Sequence, residues 1–363
     1  MKSLDEPIGE AFFQRDHAVK VGLVGLGSWS LIIADAVQRS KMVELVACFS
    51  RDSKKRIAAG QRYGCDPEES YQRMLKRNDI DAVILTTPNA VHAEQAVLAA
   101  QYGKHVFVDK PIANTLEDAK KIIEGCQKAE VILMVGHDMR RLSGFRKAKD
   151  LLNKGVIGKP IMVEANFSHN IGFRLIASDW RWYRDDSGCP AGPLMTMGVH
   201  HVDTLMYYFG RIKTVFSYFK KLYIPADVED VTTTIFQFES GILGYLGSNY
   251  ASPKANWISI YGTDANLLCN VSIPNMPYEE YLKTSHIWDK HTQLKLSRKG
   301  QVTPEDVPFS LGDPILEEIE EFASCIRTKK KPETDGQGAL AALSFIRAAI
   351  ESARTGKEVK LES

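Results

Sequence analysis

Two side chains in this sequence have the chemical types needed to move a proton at a carbon–oxygen bond. Lys110 follows Asp109 at the end of a short apolar run, and His200 lies in the helical pattern GVHHVD. A lysine ammonium polarises an oxygen that gains alkoxide character, and a histidine with a pKa of roughly 6.5 exchanges a proton near neutral pH. An ion-paired surface lysine and a structural histidine are the ordinary alternatives, so this chemistry requires that both lie in one cleft.

A glycine-rich turn near the start predicts a nucleotide beside them. In the run VGLVGLGSWS, Gly25 and Gly27 follow an apolar strand pattern and precede a helical one. In a dinucleotide-binding turn the first glycine turns the chain, and the second lets the backbone approach the pyrophosphate. The helix N-terminus, here Ser28 and Trp29, then faces the anion. Ser30 replaces the third glycine of G-x-G-x-x-G, where a small residue suffices. An ordinary tight turn is the alternative, and the strand–helix alternation that follows favours the nucleotide.

The end of the second strand pattern indicates which nucleotide binds. NAD enzymes usually carry Asp or Glu there to hold the ribose 2′-OH, whereas this chain has Ser50 and Arg51, with Lys54 and Lys55 nearby. A hydroxyl and a guanidinium suit a 2′-phosphate. The sequence therefore predicts NADP in preference to NAD, although Asp52 would restore an NAD preference if it turned inward.

Further residues at the same sheet edge are expected to border the cofactor. Thr87, Pro88 and Asn89, followed by His92, end the third strand pattern, and Asp109 precedes the lysine. In an open parallel sheet the carboxyl ends of the strands face the ligand crevice. We therefore predict that these five residues and Lys110 contact the nicotinamide end of the cofactor.

The histidine belongs to a helical pattern with two faces. Residues at steps of three and four form an apolar face: Met195, Val199, Val202, Met206 and Phe209. One position further on lies a polar stripe: Thr196, His200, Asp203 and Tyr207. His201 points about 100° away from His200 on a helix, which favours a structural role.

Substrate contacts are predicted from a polar and aromatic segment before that helix. The stretch SDWRWYRDD carries Trp180, Arg181, Trp182 and Tyr183, a platform suited to a polyhydroxylated ring; an aromatic loop packed between domains is an equal alternative. Asn170, His169, His137 and Arg140 are further candidates for substrate contact, each with a structural role as an equal alternative.

The secondary-structure elements that must position these residues follow two different patterns, one in each half of the chain. Five short apolar runs predict buried strands: Val19–Val24, Val43–Phe49, Asp81–Thr86, His105–Val108 and Val131–Val135. Helical stretches lie between them, with predicted caps at Ser53 and Thr115 and stops at Gly64 and Gly103. This alternation predicts an α/β domain built on a parallel sheet.

The second half is typical of an α+β domain. A helix and a strand are followed by two β-rich runs around Glu239-Ser240-Gly241, a hairpin signal, and the segment NWISIYGTDANLLCN predicts another pair. Two helical patterns close the chain. We therefore predict an N-terminal extension over residues 1–17, a dinucleotide-binding domain over 18–141 and a second domain over 142–363.

Composition excludes several classes of protein. The 363 residues carry 46 Lys+Arg against 45 Asp+Glu, which gives no basic field for nucleic acid or an anionic membrane. The six cysteines show no metal-ligand spacing, so neither a metal site nor a disulfide framework is predicted. No secretory signal or membrane span is evident, which predicts a soluble cytoplasmic protein.

Several blocks in this order resemble the Gfo/Idh/MocA family of NAD(P)-dependent oxidoreductases. They are VGLVGLG, TTPNAVHAEQAVLAAQYGKHVFVDKPIA, GPLMTMGVHHVD, YGTDANLL and SARTGKEVKL, with D-K-P in place of the family's E-K-P. The resemblance implies a Rossmann domain joined to a domain with an open-faced, mainly antiparallel sheet, which commonly forms a dimer or tetramer interface.

The resemblance also implies roles for individual residues. Lys110 would hydrogen-bond the reacting oxygen and His200 would transfer the hydroxyl proton, while Thr196 stands where many members carry an aspartate. Thr196 and His200 would contact a sugar, nucleotide sugar or polyol-like substrate together with Asn170, Trp180 and Arg181. A non-catalytic NAD(P)-binding regulator and an NAD-dependent glycosidase are the alternatives on this fold.

Overall fold

The structure is a computed structural model that describes residues 18–272, 274 and 288–361. The helices within these residues are α1 Ser28–Arg39, α2 Ser53–Tyr63, α3 Tyr71–Leu75, α4 His92–Gln101, α5 Leu116–Lys128, α6 Ser143–Asn153, α7 Val199–Phe209, α8 Pro314–Thr328 and α9 Gly336–Thr355. The strands are β1 Val19–Val24, β2 Val43–Phe49, β3 Asp66–Pro67, β4 Ala82–Leu85, β5 His105–Asp109, β6 Leu133–Gly136, β7 Pro160–Ser168, β8 Ile212–Lys220, β9 Val231–Phe238, β10 Leu243–Asn249, β11 Ala255–Gly262, β12 Ala265–Val271, β13 Thr292–Arg298, β14 Glu305–Asp306 and β15 Val359–Lys360. The predicted N-terminal extension over residues 1–17 lies outside the described residues.

The first sheet is parallel throughout, in the order β3-β2-β1-β4-β5-β6. This is the strand order of a dinucleotide-binding fold, whose ligand crevice lies beyond the carboxyl ends of the strands. The strands are apolar runs buried on both faces, as in β4, where all four residues are buried. Five of the six strands were predicted; the missing one, β3, is a two-residue edge strand with no apolar signal.

The helix ends follow the predicted chemistry with one correction. Thr115 caps α5 by accepting the N–H of Asp118, as predicted. The predicted cap at Ser53 is wrong, because Asp52 performs that function for α2: its Oδ1 accepts the N–H groups of Lys54 and Lys55. A carboxylate one residue earlier reaches both donors while Ser53 becomes the first helical residue.

The second sheet contains nine strands among the described residues, in the order β14-β13-β12-β11-β7-β10-β9-β8-β15. Its only parallel pair in this part of the chain is β7 with β10, so the sheet is mainly antiparallel, as predicted. Both predicted hairpins are present, β9 with β10 and β11 with β12. Helix α9 packs on β8, and the burial alternation of β9 leaves Ile235 on the opposite, open face.

The chain returns to the first domain before it ends. Helix α8 packs on α1, Phe322 lies edge-on to Phe107 of β5 at 5.7 Å between ring centroids, and Arg39 pairs with Asp313 at 2.7 Å. The domain boundary predicted at residue 142 therefore separates the elements along the chain, but α8, which follows it, packs against the first domain. Helix α9 contacts α5 as well as β8, so it joins the two domains.

Three features of the described residues bear on the protein classes considered from composition. None of the helices there has the length and apolar character to cross a membrane. The six cysteines are all buried and none forms a disulfide. Within the same residues, no group of three metal-ligating side chains comes together.

Candidate active site

The glycine-rich turn has the shape that a pyrophosphate requires. Gly25 has φ +88°, and a Cβ there would lie 2.8 Å from the carbonyl of Thr86. A Cβ on Gly27 would meet nothing within 4 Å, so the protein leaves open space at that position. No side chain caps α1, which leaves its first N–H groups available to an anion. The turn therefore fits a dinucleotide.

Ser30 completes this turn in place of the usual glycine. Its buried hydroxyl donates a hydrogen bond to the carbonyl oxygen of Gly27 at 2.6 Å. Serine in place of the third glycine thus adds a hydrogen bond within the turn and leaves the space beside Gly27 open.

The residues at the end of β2, on which the NADP prediction rests, are held by a helix cap and two hydrogen bonds. Asp52 uses one carboxylate oxygen to cap α2, so it is held by the helix. The hydroxyl of Ser50 accepts the N–H of Asp52 at 3.3 Å, and Arg56 holds the Ser50 carbonyl at 3.0 Å. Arg51 is exposed. The exposed Arg51 guanidinium thus lies beside Ser50, while Asp52 is engaged through Oδ1 at the start of α2.

The residues after β4 form a hydrogen-bonded loop at the same edge. The hydroxyl of Thr87 donates to the side-chain oxygen of Gln95 at 2.6 Å, Pro88 precedes a single 3₁₀ turn, and the amide of Asn89 donates to Asn114 at 3.2 Å. These three residues follow β4 at the carboxyl edge of the sheet, and their contact with the cofactor stays a prediction.

His92 does not line the crevice, which corrects its predicted contact with the cofactor. The ring is fully buried, with Nε2 2.8 Å from the carbonyl oxygen of Thr87 and Nδ1 3.2 Å from that of Pro111. Burial lowers the pKa of His92, which keeps the ring neutral. The histidine therefore joins the two crevice loops.

The side chain of Lys110 reaches from the first domain to a backbone carbonyl of the second. Its Nζ donates to the carbonyl oxygen of Thr196 at 2.9 Å, and the side chain lines a cleft of about 430 Å³. The preceding Asp109 ends β5; burial raises its pKa to about 7 against the opposing charge of Lys110. Asp138 raises it further, so three charged groups meet at the carboxyl ends of β5 and β6.

His200 lies in the same cleft as Lys110. Its side chain is 8% exposed, and its Nδ1 lies 3.3 Å from Oδ1 of Asp138. Burial lowers the pKa of His200 well below its usual value, and the nearby charges of Lys110 and His137 lower it further. The imidazole is therefore neutral and able to accept a proton. Trp29, at the start of α1, lines this cleft as well.

Thr196 lines the same cleft as Lys110 and His200. Residues Leu194–Gly198 form a π-helical turn before α7, so the spacing between Thr196 and His200 is not that of an ordinary α-helix. The Thr196 hydroxyl is shared with the Tyr250 hydroxyl and the Gly192 carbonyl. Its carbonyl oxygen instead holds Lys110.

The predicted substrate residues divide between cleft and surface. His169, Asn170 and Trp182 line the cleft. Trp180 and Arg181 do not, and Arg181 is an exposed side chain paired with Asp179 through Nε at 2.9 Å. These two assignments are corrected, because the 3₁₀ turn over Trp180–Trp182 directs one aromatic ring inward and leaves its neighbours outside.

Three other candidates are structural. Arg140 and Asp203 form a buried ion pair, with Nε 2.7 Å from Oδ2, and His137 lies 3.8 Å from the same carboxylate. Neither Arg140 nor His137 borders the cleft, so the structural alternative is the one the structure favours for both. His201 is fully buried with Nε2 3.1 Å from the carbonyl oxygen of Asn166, which confirms the structural role predicted for it.

Several residues that line the cleft were not predicted from the sequence. They are Asp138, Arg174, Tyr250, Lys254, Asn256 and Trp288. Asp138 had a signal: it follows β6 as Lys110 follows β5, at the same sheet edge. The others come from the second sheet and its loops, where the sequence pattern does not tell which strand end faces the first domain.

A nucleotide-binding parallel sheet with a lysine and a neutral histidine over its crevice is the arrangement of a nicotinamide-dependent oxidoreductase. Comparison with known proteins agrees: residues 19–137 match the family described as "Oxidoreductase family, NAD-binding Rossmann fold", and residues 145–268 match the "GFO/IDH/MocA C-terminal domain". The chain belongs to the Gfo/Idh/MocA family, and it is an NAD(P)-dependent oxidoreductase.

Individual relatives cover nearly the whole chain. The D-xylose 1-dehydrogenase [NADP(+)] of Haloarcula marismortui is 25% identical, over 96% of this chain and 94% of its own. The scyllo-inositol 2-dehydrogenase (NAD(+)) of Bacillus subtilis is 27% identical, over 96% and 97%. A crystal structure from Desulfitobacterium hafniense, assigned as an NADPH-dependent oxidoreductase, superposes with a TM-score of 0.89 at 33% identity, over 94% of this chain and 97% of that one.

Proposed function

We propose that this protein transfers a hydride between NADP(H) and a CH–OH or carbonyl carbon of a sugar or polyol-like substrate. One observation carries the proposal: Lys110 and His200 line a single cleft that also contains Trp29 of the nucleotide-binding turn. The relatives named for D-xylose and scyllo-inositol support the substrate class.

The cleft residues have separate tasks in this reaction. When bound, the nicotinamide accepts or supplies the hydride. The Lys110 ammonium stabilises the substrate oxygen as negative charge develops on it, and neutral His200 takes or returns the hydroxyl proton. Asn170 and Trp182 are placed to orient the hydroxyl-bearing carbons, because orientation is the main contribution a protein makes when the cofactor performs the chemistry.

The preference for NADP rests on the end of β2. Asp52 is engaged as the cap of α2, while Arg51 is exposed beside Ser50. A guanidinium forms bidentate hydrogen bonds with a phosphate, whereas an NAD-type site would offer a carboxylate to the 2′-OH.

Oligomerisation through the second sheet is the proposed assembly, as a dimer or a tetramer. The open face carries exposed apolar side chains on three adjacent strands: Tyr218 at 63%, Ile235 at 57% and Leu243 at 55%. A face of this kind marks a protein interface. We further propose a cytoplasmic location, the compartment that unpaired thiols favour.

A screen of aldoses, ketoses and inositols with NADP(H) and NAD(H), followed by the absorbance of the reduced nicotinamide, tests the activity. Oxidation or reduction of at least one sugar or polyol, faster with NADP(H), is expected. Binding of the cofactor without turnover of any substrate would favour the regulatory alternative. Cleavage of a glycoside with no net change in reduced cofactor would favour the glycosidase.

A further inference from the structure

We propose that Asp138 is the positioning residue of His200: its carboxylate accepts a hydrogen bond from Nδ1–H of that histidine, which leaves the other nitrogen, Nε2, toward the substrate as the proton acceptor. This inference rests on the proposed function for its catalytic meaning. The geometric statement about the histidine tautomer stands on its own and is tested separately below.

The first support is a pair of buried polar groups that face each other. Nδ1 of His200 and Oδ1 of Asp138 are 3.3 Å apart, and the two side chains are 8% and 1% exposed. Neither atom has a hydrogen bond of ordinary geometry within the described residues. Unpaired groups at this depth are costly, and catalytic hydrogen bonds are often long before substrate binds. The pair therefore fits a contact that tightens in the complex.

The second support is that Thr196 and Asp203, the neighbours of His200 in the polar stripe, are engaged with other partners and do not bind the His200 ring. The Thr196 hydroxyl is directed at Tyr250 and Gly192. Asp203, the next residue of the stripe, is bound by Arg140. The carboxylate that faces the histidine thus comes from the turn after β6 in the first domain.

The surroundings determine when Asp138 can act. The charged and titratable groups around the pair are Asp109 and Lys110 at the end of β5, His137 beside Asp138, His201 and Asp203 on α7, and Glu318 on α8. Burial raises the pKa of Asp138 to about 6, and Lys110 opposes that rise. The carboxylate is therefore ionised above about pH 6, where it can accept a hydrogen bond from Nδ1–H of His200.

The reaction step then balances without a proton on Asp138. In the oxidation direction the substrate O–H bond breaks and its proton passes to Nε2 of His200. The oxygen electron pair forms the carbonyl, and the C–H pair leaves as hydride to the oxidised nicotinamide. In the resulting imidazolium, Nδ1–H still donates its hydrogen bond to Asp138, and the negative charge of that carboxylate stabilises the imidazolium.

The tautomer is measured by two-bond ¹H–¹⁵N spectra of protein labelled on its nine histidine rings, with His200 assigned from its loss in H200Q. We expect the Nδ1–H form of His200 at pH 7.5, and a shift toward Nε2–H in Asp138→Asn and Asp138→Leu. Glu318→Gln, which removes a buried carboxyl on α8, is expected to leave the His200 tautomer as it is. Nε2–H in the wild type, or an unchanged tautomer in both Asp138 variants, would overturn the inference.

Kinetics give the second readout. With a substrate from the screen, Asp138→Asn is expected to lower kcat by about 10- to 100-fold while KM for the cofactor changes little. The acid-side fall of kcat near pH 6 is expected to disappear in this variant and to persist in Glu318→Gln. An acid limb retained in Asp138→Asn would count against the role. If the wild type turns over nothing, the proposed function fails while the tautomer measurement still decides this inference.

Discussion

Lys110 and Thr196 belong to different domains, yet the Nζ of Lys110 lies 2.9 Å from the Thr196 carbonyl oxygen. A backbone carbonyl holds the ammonium over the cleft and cannot be removed by a side-chain substitution. Its partner across the cleft is His200, four residues further along the chain. The relative position of these two proposed reacting groups therefore depends on where α7 begins relative to the end of β5.

Removing either reacting group should abolish most of the turnover. Lys110→Ala and His200→Ala are each expected to lower kcat by about a hundredfold or more, because they remove charge stabilisation and proton transfer at the reacting oxygen. Binding of NADPH, followed by its fluorescence, should survive in both. Lys128→Ala, an exposed lysine at the end of α5, is the matched control. Near wild-type turnover in both active-site variants would refute their roles.

Cofactor choice should depend on Arg51. Arg51→Ala is expected to weaken NADPH binding by about tenfold or more, since a charge-assisted hydrogen bond to phosphate is worth about 1.5–3 kcal/mol, and to leave NADH binding nearly unchanged. Fluorescence titration with both cofactors measures this. Arg62→Ala removes an arginine from the far end of α2 and serves as the control. Equal losses for the two cofactors would contradict the NADP preference.

Stability should depend on pH through Asp109. Burial raises its folded-state pKa to about 7 from 3.8, so the folded protein holds a proton that the unfolded chain releases between these values. The free energy of unfolding therefore falls as pH rises through this range. Asp109→Asn removes the buried charge and should stabilise the protein at pH 8 by on the order of 1–2 kcal/mol.

Denaturant unfolding at pH 8 and at pH 5 separates this effect from a general change in packing. The gain from Asp109→Asn should be small at pH 5, where the carboxyl is already protonated in the folded state. An equal effect at both pH values would show that the charge of Asp109 is not the cause.

Assembly should depend on the open face of the second sheet. Ile235→Lys places a charge among exposed apolar side chains, and burying that charge in an interface is costly, so the mass by light scattering is expected to fall toward that of one chain. Val302→Lys is the control, because Val302 is 98% exposed and lies outside the sheet. A wild-type protein that is already monomeric would contradict the proposed interface.

The sequence predicted the parts of the molecule that are coded locally. Apolar runs gave β1 and β2 with their observed ends, and Thr115 was predicted as a cap, because these features depend on neighbouring residues. The site was less predictable where it depends on distant contacts. The π-helical turn before α7 changes the spacing between Thr196 and His200, and the first domain contributes Asp138. Helical spacing cannot anticipate either, since one is a backbone irregularity and the other a tertiary contact.

Helix α9 packs on β8 in one domain and on α5 in the other. Moving the two domains apart at the cleft would separate α9 from either β8 or α5, so we expect the two domains to behave as one rigid unit. Ligand exchange is then expected through the mouth of the cleft while this unit keeps its shape. Crystals grown without nucleotide should consequently survive soaking with it, and their cell dimensions should hardly change.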